Sequence, residues 1–165
     1  MARVTQLIKQ LIPTTECSSL LDIGIGDGGT IKEIAPLFSV KEIYGVENLI
    51  DPTQHKLEDP NIKVDFKPYE TSEYYDTEFD AITLFDSLPC YNKDKGIEIL
   101  TKVEEKAKKL IIVWLPDGFY PYPPFHSCWH AEDFLSRGYC VYKAINFHQG
   151  PPMVASGLLA WKILN

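Results

Sequence analysis

The sequence predicts an α/β fold with a doubly wound, mostly parallel sheet that is closed by an antiparallel C-terminal hairpin. Apolar runs typical of buried strands alternate with segments of helical periodicity, as expected when helices cover a parallel sheet. Near the C-terminus, two strand-like segments follow one another without a helix between them, so they can pair only as antiparallel neighbours. The 165 residues suffice for one core, and we expect a single domain over residues 1–165.

Each strand is predicted from an apolar run, and each helix from apolar residues three or four positions apart. The predicted strands cover residues 19–23, 42–47, 62–64, 79–85, 110–115, 139–145 and 156–164. The predicted helices cover the N-terminal segment up to about Pro13 and residues 30–38, 94–108 and 131–137. Pro52 and Pro60 bracket the crossover between the second and third strands, so any helix there is about one turn long. The acidic stretch 70–78 is predicted to be loop or weak helix.

The composition is that of an ordinary globular protein and argues against a nucleic-acid partner. Apolar residues make up 45% of the chain and charged residues 24%, with a net charge of −7. Binding to phosphates requires clustered Lys and Arg. The one cationic cluster, residues 102–109, is interrupted by Glu104 and Glu105, so it is interpreted as a solvated helix face.

The sequence also argues against secretion and a membrane partner. Apolar residues at helical spacing give the N-terminal segment one apolar face, which is unlike a signal peptide. No apolar run is long enough to cross a bilayer. The four cysteines form no C-x-x-C pair and are typical of reduced thiols, so we expect a cytoplasmic protein.

A glycine-rich loop, residues 24–29, follows the first strand directly and leads into a helical segment. Glycines allow a tight turn and close approach of a ligand, and the N–H groups at the helix start face the same ligand. We therefore expect a nucleotide-like cofactor here. Gly24, Gly26 and Gly29 also satisfy G-x-G-x-x-G, which leaves an NAD(P)-binding oxidoreductase as an alternative.

An acid stands two residues before the first glycine, which gives Asp22-x-Gly24-x-Gly26-x-Gly28. This pattern resembles motif I of the class I S-adenosylmethionine-dependent methyltransferases. The second strand ends in Glu47, where that family has an acid that binds both ribose hydroxyls, a task suited to a carboxylate. The C-terminal hairpin is similar to the antiparallel end of the family's seven-stranded, Rossmann-like sheet, so the resemblance covers nearly the whole chain.

The resemblance implies S-adenosylmethionine as the cofactor and assigns residues to it. Asp65 would meet the adenine amino group, the Phe66 N–H would face the adenine ring, and Asp22 would also tie N–H groups of the glycine loop. Asp86 follows the fourth strand, beside the methionine moiety and the transferring methyl, and is predicted to be catalytic as well. The implied cofactor-binding residues are Asp22, Gly24, Ile25, Gly26, Gly28, Glu47, Asn48, Asp65, Phe66 and Asp86.

Residues 114–129, the aromatic segment, contain six aromatic residues and four prolines. The segment follows the fifth strand, at the edge where open α/β sheets bind ligands. It is interpreted either as a wall of the acceptor site or as a loop folded onto its own core, and both can hold for different residues. The predicted substrate-binding residues are Tyr91, Tyr120, Tyr122, Phe125 and Trp129. The family's N/D-P-P-Y signature for amino methylation of nucleic acids is absent at residues 86–89.

His126 is the predicted general base, because methylating a hydroxyl requires removal of its proton near neutral pH. A metal held by His126, Cys128 and His130 is not expected, since one extended loop rarely brings enough ligands together. His55 and His148 are expected at the surface.

These observations together predict an S-adenosylmethionine-dependent methyltransferase that acts on a small molecule by O- or N-methylation, with no nucleic-acid or membrane partner. The alternatives are an NAD(P)-binding oxidoreductase and a non-catalytic nucleotide-binding module of the same fold.

Overall fold

A computed structural model describes residues 2–55, 57, 59–150 and 153–165. The strands are β1 Ser19–Ile23, β2 Glu42–Val46, β3 Ile62–Asp65, β4 Phe79–Phe85, β5 Ala107–Pro116, β6 Cys140–Gly150 and β7 Met153–Ile163. The α-helices are α1 Ala2–Leu11, α2 Gly29–Ile34, α3 Lys93–Lys106 and α4 Ala131–Leu135. Single 3₁₀ turns cover Ala35–Phe38, Pro52–Gln54, Tyr69–Thr71 and Leu88–Cys90.

The strands form one seven-stranded sheet in the order β3-β2-β1-β4-β5-β7-β6. The first five strands pair in parallel, whereas β7 runs antiparallel to both β5 and β6. The predicted fold class, a mostly parallel doubly wound sheet with an antiparallel C-terminal hairpin, is confirmed. The strand order reverses between β1 and β4, which is where open α/β sheets bind ligands.

The sheet is buried on both faces, which explains the near-continuous apolar strands. Neighbouring residues of a strand point to opposite faces. Thus Leu20 and Ile112 join the core on the face covered by α1 and α2, whereas Leu21 and Ile111 join the core on the face covered by α3 and α4. All four side chains are fully buried.

The C-terminal hairpin is longer than the sequence predicts. β6 continues to Gly150 and β7 begins at Met153, where the predicted strands end at residue 145 and begin at 156. The Gly and Pro residues of this stretch are usual loop signals, but β6 and β7 remain paired through it, after an irregularity between Ala144 and His148. α3 ends at Lys106, and β5 begins at Ala107, which pairs with Phe79.

The other predicted elements lie close to their expected positions. The predicted helix over residues 30–38 is divided into α2 and a 3₁₀ turn that contains Pro36, which lacks the N–H that a continuous helix requires. The crossover after β2 holds the single turn Pro52–Gln54. Within the described ranges, no helix has the length and apolar character needed to cross a membrane.

Candidate active site

A cleft with a cavity volume of about 90 Å³ lies at the carboxyl ends of β1, β2 and β4, where the strand order reverses. We call it the first cleft. Its lining combines two acids with apolar and small polar side chains, as in pockets for small ligands. The lining residues are Gly24, Glu47, Asn48, Leu49, Phe85, Asp86, Ser87, Cys90 and Tyr91.

The glycine-rich loop lies beside this cleft in a conformation that requires glycine. Gly24, Gly26 and Gly28 have φ values of 80°, 56° and 73°, which L side chains rarely adopt. At Gly24 a Cβ would also lie 2.9 Å from the Cβ of Ser87 on the neighbouring strand end. The loop therefore passes close to the end of β4 because Gly24 has no side chain.

Glu47 holds this loop in place from the end of β2. Its side chain is buried, at 4% exposure. Oε2 accepts a hydrogen bond from the Gly26 N–H at 2.8 Å, and Oε1 accepts one from the Leu49 N–H at 2.7 Å. Each carboxylate oxygen can accept a second hydrogen bond. Glu47 can therefore organise the loop and still bind two adjacent hydroxyls of a ligand.

Asp22 lies beneath the loop rather than in the lining. Its carboxylate is buried and Oδ1 accepts a hydrogen bond from the Thr83 hydroxyl on β4 at 2.7 Å. Burial raises the pKa of Asp22 to about 7, against the effect of the Thr83 hydrogen bond and with a contribution from the charge of Glu47. Asp22 was expected to tie N–H groups of the glycine-rich loop, but the Gly26 N–H donates to Glu47 and the Gly24 and Ile25 N–H groups donate to the Val46 carbonyl. Asp22 instead links β1 to β4.

Asp86 has strained backbone and an orphaned carboxylate oxygen. Its φ of 56° is left-handed, and its N–H donates to the Trp114 carbonyl at 2.7 Å. The Oδ1 atom is buried and has no hydrogen-bond partner among the described residues. Burial raises the pKa of Asp86 to about 7. Strain and an unsatisfied buried polar atom are typical of functional sites.

A second cleft, with a cavity volume of about 310 Å³, shares Asp86 with the first. Three rings of the aromatic segment line it, together with Pro116. The Tyr122 and Phe125 rings pack edge to face with centroids 5.0 Å apart. Tyr120, Tyr122 and Phe125 thus line one cavity, whereas Tyr91, also predicted to bind the substrate, lines the first cleft.

Trp129 lies in the hydrophobic core, so its predicted position on the acceptor wall is wrong. It is 1% exposed, packs against Phe134 with ring centroids 5.6 Å apart, and donates from Nε1 to the Ser127 hydroxyl at 3.0 Å. The backbone of Gly118 bonds to Trp129 and draws the end of the aromatic segment back onto the domain. For this residue, the alternative interpretation as core is the correct one.

His126 is exposed and is not among the residues that line either cleft. Its backbone N–H donates to the Pro89 carbonyl at 2.7 Å, which fixes the backbone and leaves the ring at the surface. Cys128 and His130 are exposed as well. The acid Asp86, rather than a histidine, is the titratable group that the two clefts share.

Asp65 and Phe66 lie at the end of β3, outside the lining of the first cleft. The Asp65 carbonyl accepts from the Glu47 N–H at 3.1 Å, and its carboxylate accepts from the Glu73 N–H at 3.0 Å. Phe66 packs against the ring of His55 at 4.8 Å.

The expectation that His55 is a surface residue is wrong. It is half-buried, and its Nε2 lies 2.6 Å from the Gly26 carbonyl. His55 therefore connects the crossover after β2 to the glycine-rich loop, 29 residues away in sequence. His148, also expected at the surface, has a side chain outside the described part of the chain.

The remaining predicted residues divide by their surroundings. Asn48 lines the first cleft, next to Glu47. Ile25 is buried, and a Cβ on Gly45 would lie 2.5 Å from its Cδ1, so Ile25 packs directly over β2. Ile25 thus supports the loop from below and reaches a ligand only through its backbone.

No known family model matches the sequence, and no curated protein matches it. Solved structures do match the fold. The N-methyltransferase NodS from Bradyrhizobium japonicum WM9 superposes with a TM-score of 0.72 at 14% identity, over 99% of this chain and 94% of that one. A SAM-dependent methyltransferase from Archaeoglobus fulgidus superposes with a TM-score of 0.66 at 16% identity, over 98% and 94%.

The small RNA methyltransferase HEN1 is also similar, with a TM-score of 0.68 at 18% identity, over 99% of this chain and 25% of the other. The chain has the class I methyltransferase fold. In this methyltransferase fold, the first cleft occupies the switch point of the sheet and the second cleft continues from it at Asp86. The Asp86 carboxylate thus lies where the two clefts meet.

Proposed function

We propose that the protein is an S-adenosylmethionine-dependent methyltransferase that transfers a methyl group to the oxygen or nitrogen of a small molecule. The observation that carries this proposal is the position of Asp86, which both clefts share and whose Oδ1 has no hydrogen-bond partner among the described residues. A group transfer between two bound molecules requires such adjoining sites.

The residues of the first cleft suit the proposed cofactor. Glu47 would accept from both ribose hydroxyls through the lone pairs that its backbone contacts leave free. The glycine-rich loop lets the ligand approach the backbone closely. The buried Ser87 hydroxyl has no hydrogen-bond partner among the described residues, so it offers a polar contact near the end of β4. An unsatisfied polar atom fits a polar ligand better than an apolar one.

In the proposed reaction the protein mainly positions the reactants. S-adenosylmethionine supplies a methyl group that is already activated by its sulfonium. Tyr120, Tyr122 and Phe125 would hold the acceptor and limit the entry of water. Asp86 would accept the acceptor's proton, and its raised pKa of about 7 suits a base that works near neutral pH. We therefore assign the role of base to Asp86 and leave His126 as a surface residue.

The charge of the clefts supports a small molecule over a nucleic acid. Glu47 and Asp86 are the charged residues among those that line the two clefts, and both are acids. Acidic walls would repel phosphates, and the net charge of −7 has the same effect at longer range. The likeness to an RNA methyltransferase concerns the fold, and no Lys or Arg is found among the described residues that line the two clefts.

A screen of acceptors with methyl-labelled S-adenosylmethionine tests this proposal. We expect the wild-type protein to label at least one small hydroxyl or amino compound. Asp86→Asn should lower the rate by about two to four decades, which is the usual value of a general base. Asp51→Asn is the matched control, because Asp51 is an exposed acid whose side chain contacts Thr53 outside both clefts. Labelling of RNA but of no small molecule would contradict the proposed acceptor class.

A further inference from the structure

The second cleft has an unbalanced charge. It presents the Asp86 carboxylate and three aromatic rings, and none of the described residues that line it is a Lys, Arg or His. The same holds for the first cleft, which adds the carboxylate of Glu47. The shared wall of the two clefts is therefore negative and partly apolar.

The cations that approach the aromatic segment are engaged elsewhere. The Lys93 ammonium donates to the Cys128 carbonyl at 2.8 Å and to the Asp133 carboxylate at 2.7 Å, and it lies 3.8 Å from the Trp129 ring centroid. Lys143 forms an ion pair with Asp117. Neither ammonium can neutralise Asp86 without giving up these partners.

A buried carboxylate oxygen without a partner is costly, so its retention points to a ligand that satisfies it. Burial also raises the pKa of Asp86, as expected for an acid whose charge nothing compensates. An ammonium group would restore both the hydrogen bond and the charge balance. The faces of aromatic rings attract cations as well.

We propose, on the basis of the proposed function, that the methyl acceptor is a small primary or secondary amine that enters as its ammonium ion. An N–H of the ammonium donates to Asp86 Oδ1, and the hydrocarbon part packs against Tyr120, Tyr122 and Phe125. A carboxylate or phosphate compound would place a second negative charge beside Asp86. A hydroxyl compound would satisfy the hydrogen bond but leave the charge uncompensated.

The transfer step balances with these groups alone. The ammonium nitrogen gives one proton to Asp86 and regains its lone pair. That lone pair forms the new N–C bond to the methyl carbon, while the C–S bond breaks and its electron pair stays on sulfur. The product is an N-methylammonium ion, and Asp86 returns its proton to water when the product leaves.

Matched probes test this inference directly. The protein, saturated with S-adenosylhomocysteine, is titrated calorimetrically with 2-phenylethylamine, 2-phenylethanol and 3-phenylpropionate, and with butylamine, 1-butanol and butyrate. We expect the tighter-binding of the two amines to bind at least about tenfold more tightly than the alcohol of the same series, a difference of about 1.4 kcal/mol. Its advantage over the carboxylate of the same series should be larger still. The same order should hold for labelled methyl transfer.

Two variants locate the effect. Asp86→Asn should remove the preference for the amine over the alcohol while the affinity for S-adenosylhomocysteine changes less than about threefold. Tyr122→Leu keeps an apolar wall but removes one aromatic ring face, so it should lower the affinity for the amine more than the affinity for the alcohol. Asp51→Asn is again the control, and it should change neither the preference for the amine over the alcohol nor the affinity for S-adenosylhomocysteine.

The outcomes separate this inference from the proposed function. If S-adenosylhomocysteine binds but no amine of the panel exceeds its matched alcohol, the amine proposal is overturned and the methyltransferase proposal stands. If Asp86→Asn lowers the affinity for S-adenosylhomocysteine as much as the affinity for the amine, the carboxylate binds the cofactor and the amine proposal is again overturned. If S-adenosylhomocysteine itself does not bind to the wild-type protein, the proposed function fails.

Discussion

Glu47 offers the sharpest test of how the first cleft is built, through the variant Glu47→Gln. The carboxylate accepts from the N–H groups of Gly26 and Leu49 at 2.8 and 2.7 Å. A glutamine amide has one acceptor oxygen, and its NH₂ group would face the other N–H. The variant therefore loses one charge-assisted hydrogen bond and leaves a partly buried N–H unsatisfied.

The magnitudes follow from these two contacts. Hydrogen bonds to a charged group contribute about 1.5–3 kcal/mol, and an unsatisfied donor costs about 1–3 kcal/mol, with incomplete additivity. We expect the free energy of unfolding to fall by about 2–4 kcal/mol. Affinity for S-adenosylhomocysteine should fall at least about tenfold, because the variant also loses an acceptor for the ribose. The sequence alone predicted the second effect but not the first.

Urea denaturation measures the stability change, and calorimetric titration of the folded variant measures the affinity. Asp51→Asn is the control, because this exposed acid caps the turn at Pro52–Gln54 and does not line the cleft. A variant at Glu47 that keeps both the wild-type stability and the wild-type affinity would show that its carboxylate neither holds the loop nor binds the ligand.

Three further predictions concern Asp22, the glycine-rich loop and the end of the aromatic segment. Burial raises the pKa of Asp22 from 3.8 to about 7 in the folded chain. Between about pH 4 and 7 the Asp22 carboxyl is therefore ionised in the unfolded chain but still protonated in the folded one. The free energy of unfolding then falls by up to about 1.4 kcal/mol per pH unit as the pH rises. Urea denaturation across this range should give a shallower fall for Asp22→Asn, and an unchanged slope would contradict the assigned pKa. Gly24→Ala should lower both the affinity for S-adenosylhomocysteine and the melting temperature, because the new Cβ would lie 2.9 Å from the Cβ of Ser87 at a φ of 80°. An affinity and a melting temperature equal to those of the wild-type protein would argue against the tight loop. In denaturation experiments, Trp129→Ala should cost about 3–5 kcal/mol and His126→Ala less than about 0.5 kcal/mol; the reverse order would place His126, not Trp129, in the core.

Features that depend on neighbouring residues in the sequence could be predicted. Examples are the glycine-rich loop, which follows β1 directly, and Glu47, which follows β2 directly. The fold class also follows from the alternation of apolar runs. The orientation of side chains in the aromatic segment could not be predicted in this way. It depends on contacts within the folded segment, such as the backbone hydrogen bond from the Gly118 N–H to the Trp129 carbonyl. His55 was missed for a similar reason, since its partner Gly26 is distant in sequence.

Asp86 illustrates what the sequence can and cannot indicate. Its place after β4 marked it as a candidate for both cofactor binding and catalysis. The left-handed φ and the orphaned Oδ1 are properties of the packed structure, since they depend on the bond to Trp114 and on burial by neighbouring elements. These properties move the proposed base from His126 to Asp86.

The central claim is that the first cleft binds an S-adenosyl nucleotide, and calorimetric titration tests it most directly. S-adenosylhomocysteine, NAD and NADP are each titrated into the wild-type protein and into Glu47→Gln. We expect one equivalent of S-adenosylhomocysteine bound to the wild-type protein, weaker binding to the variant, and no binding of NAD or NADP. Binding of NAD or NADP without binding of S-adenosylhomocysteine would contradict the claim.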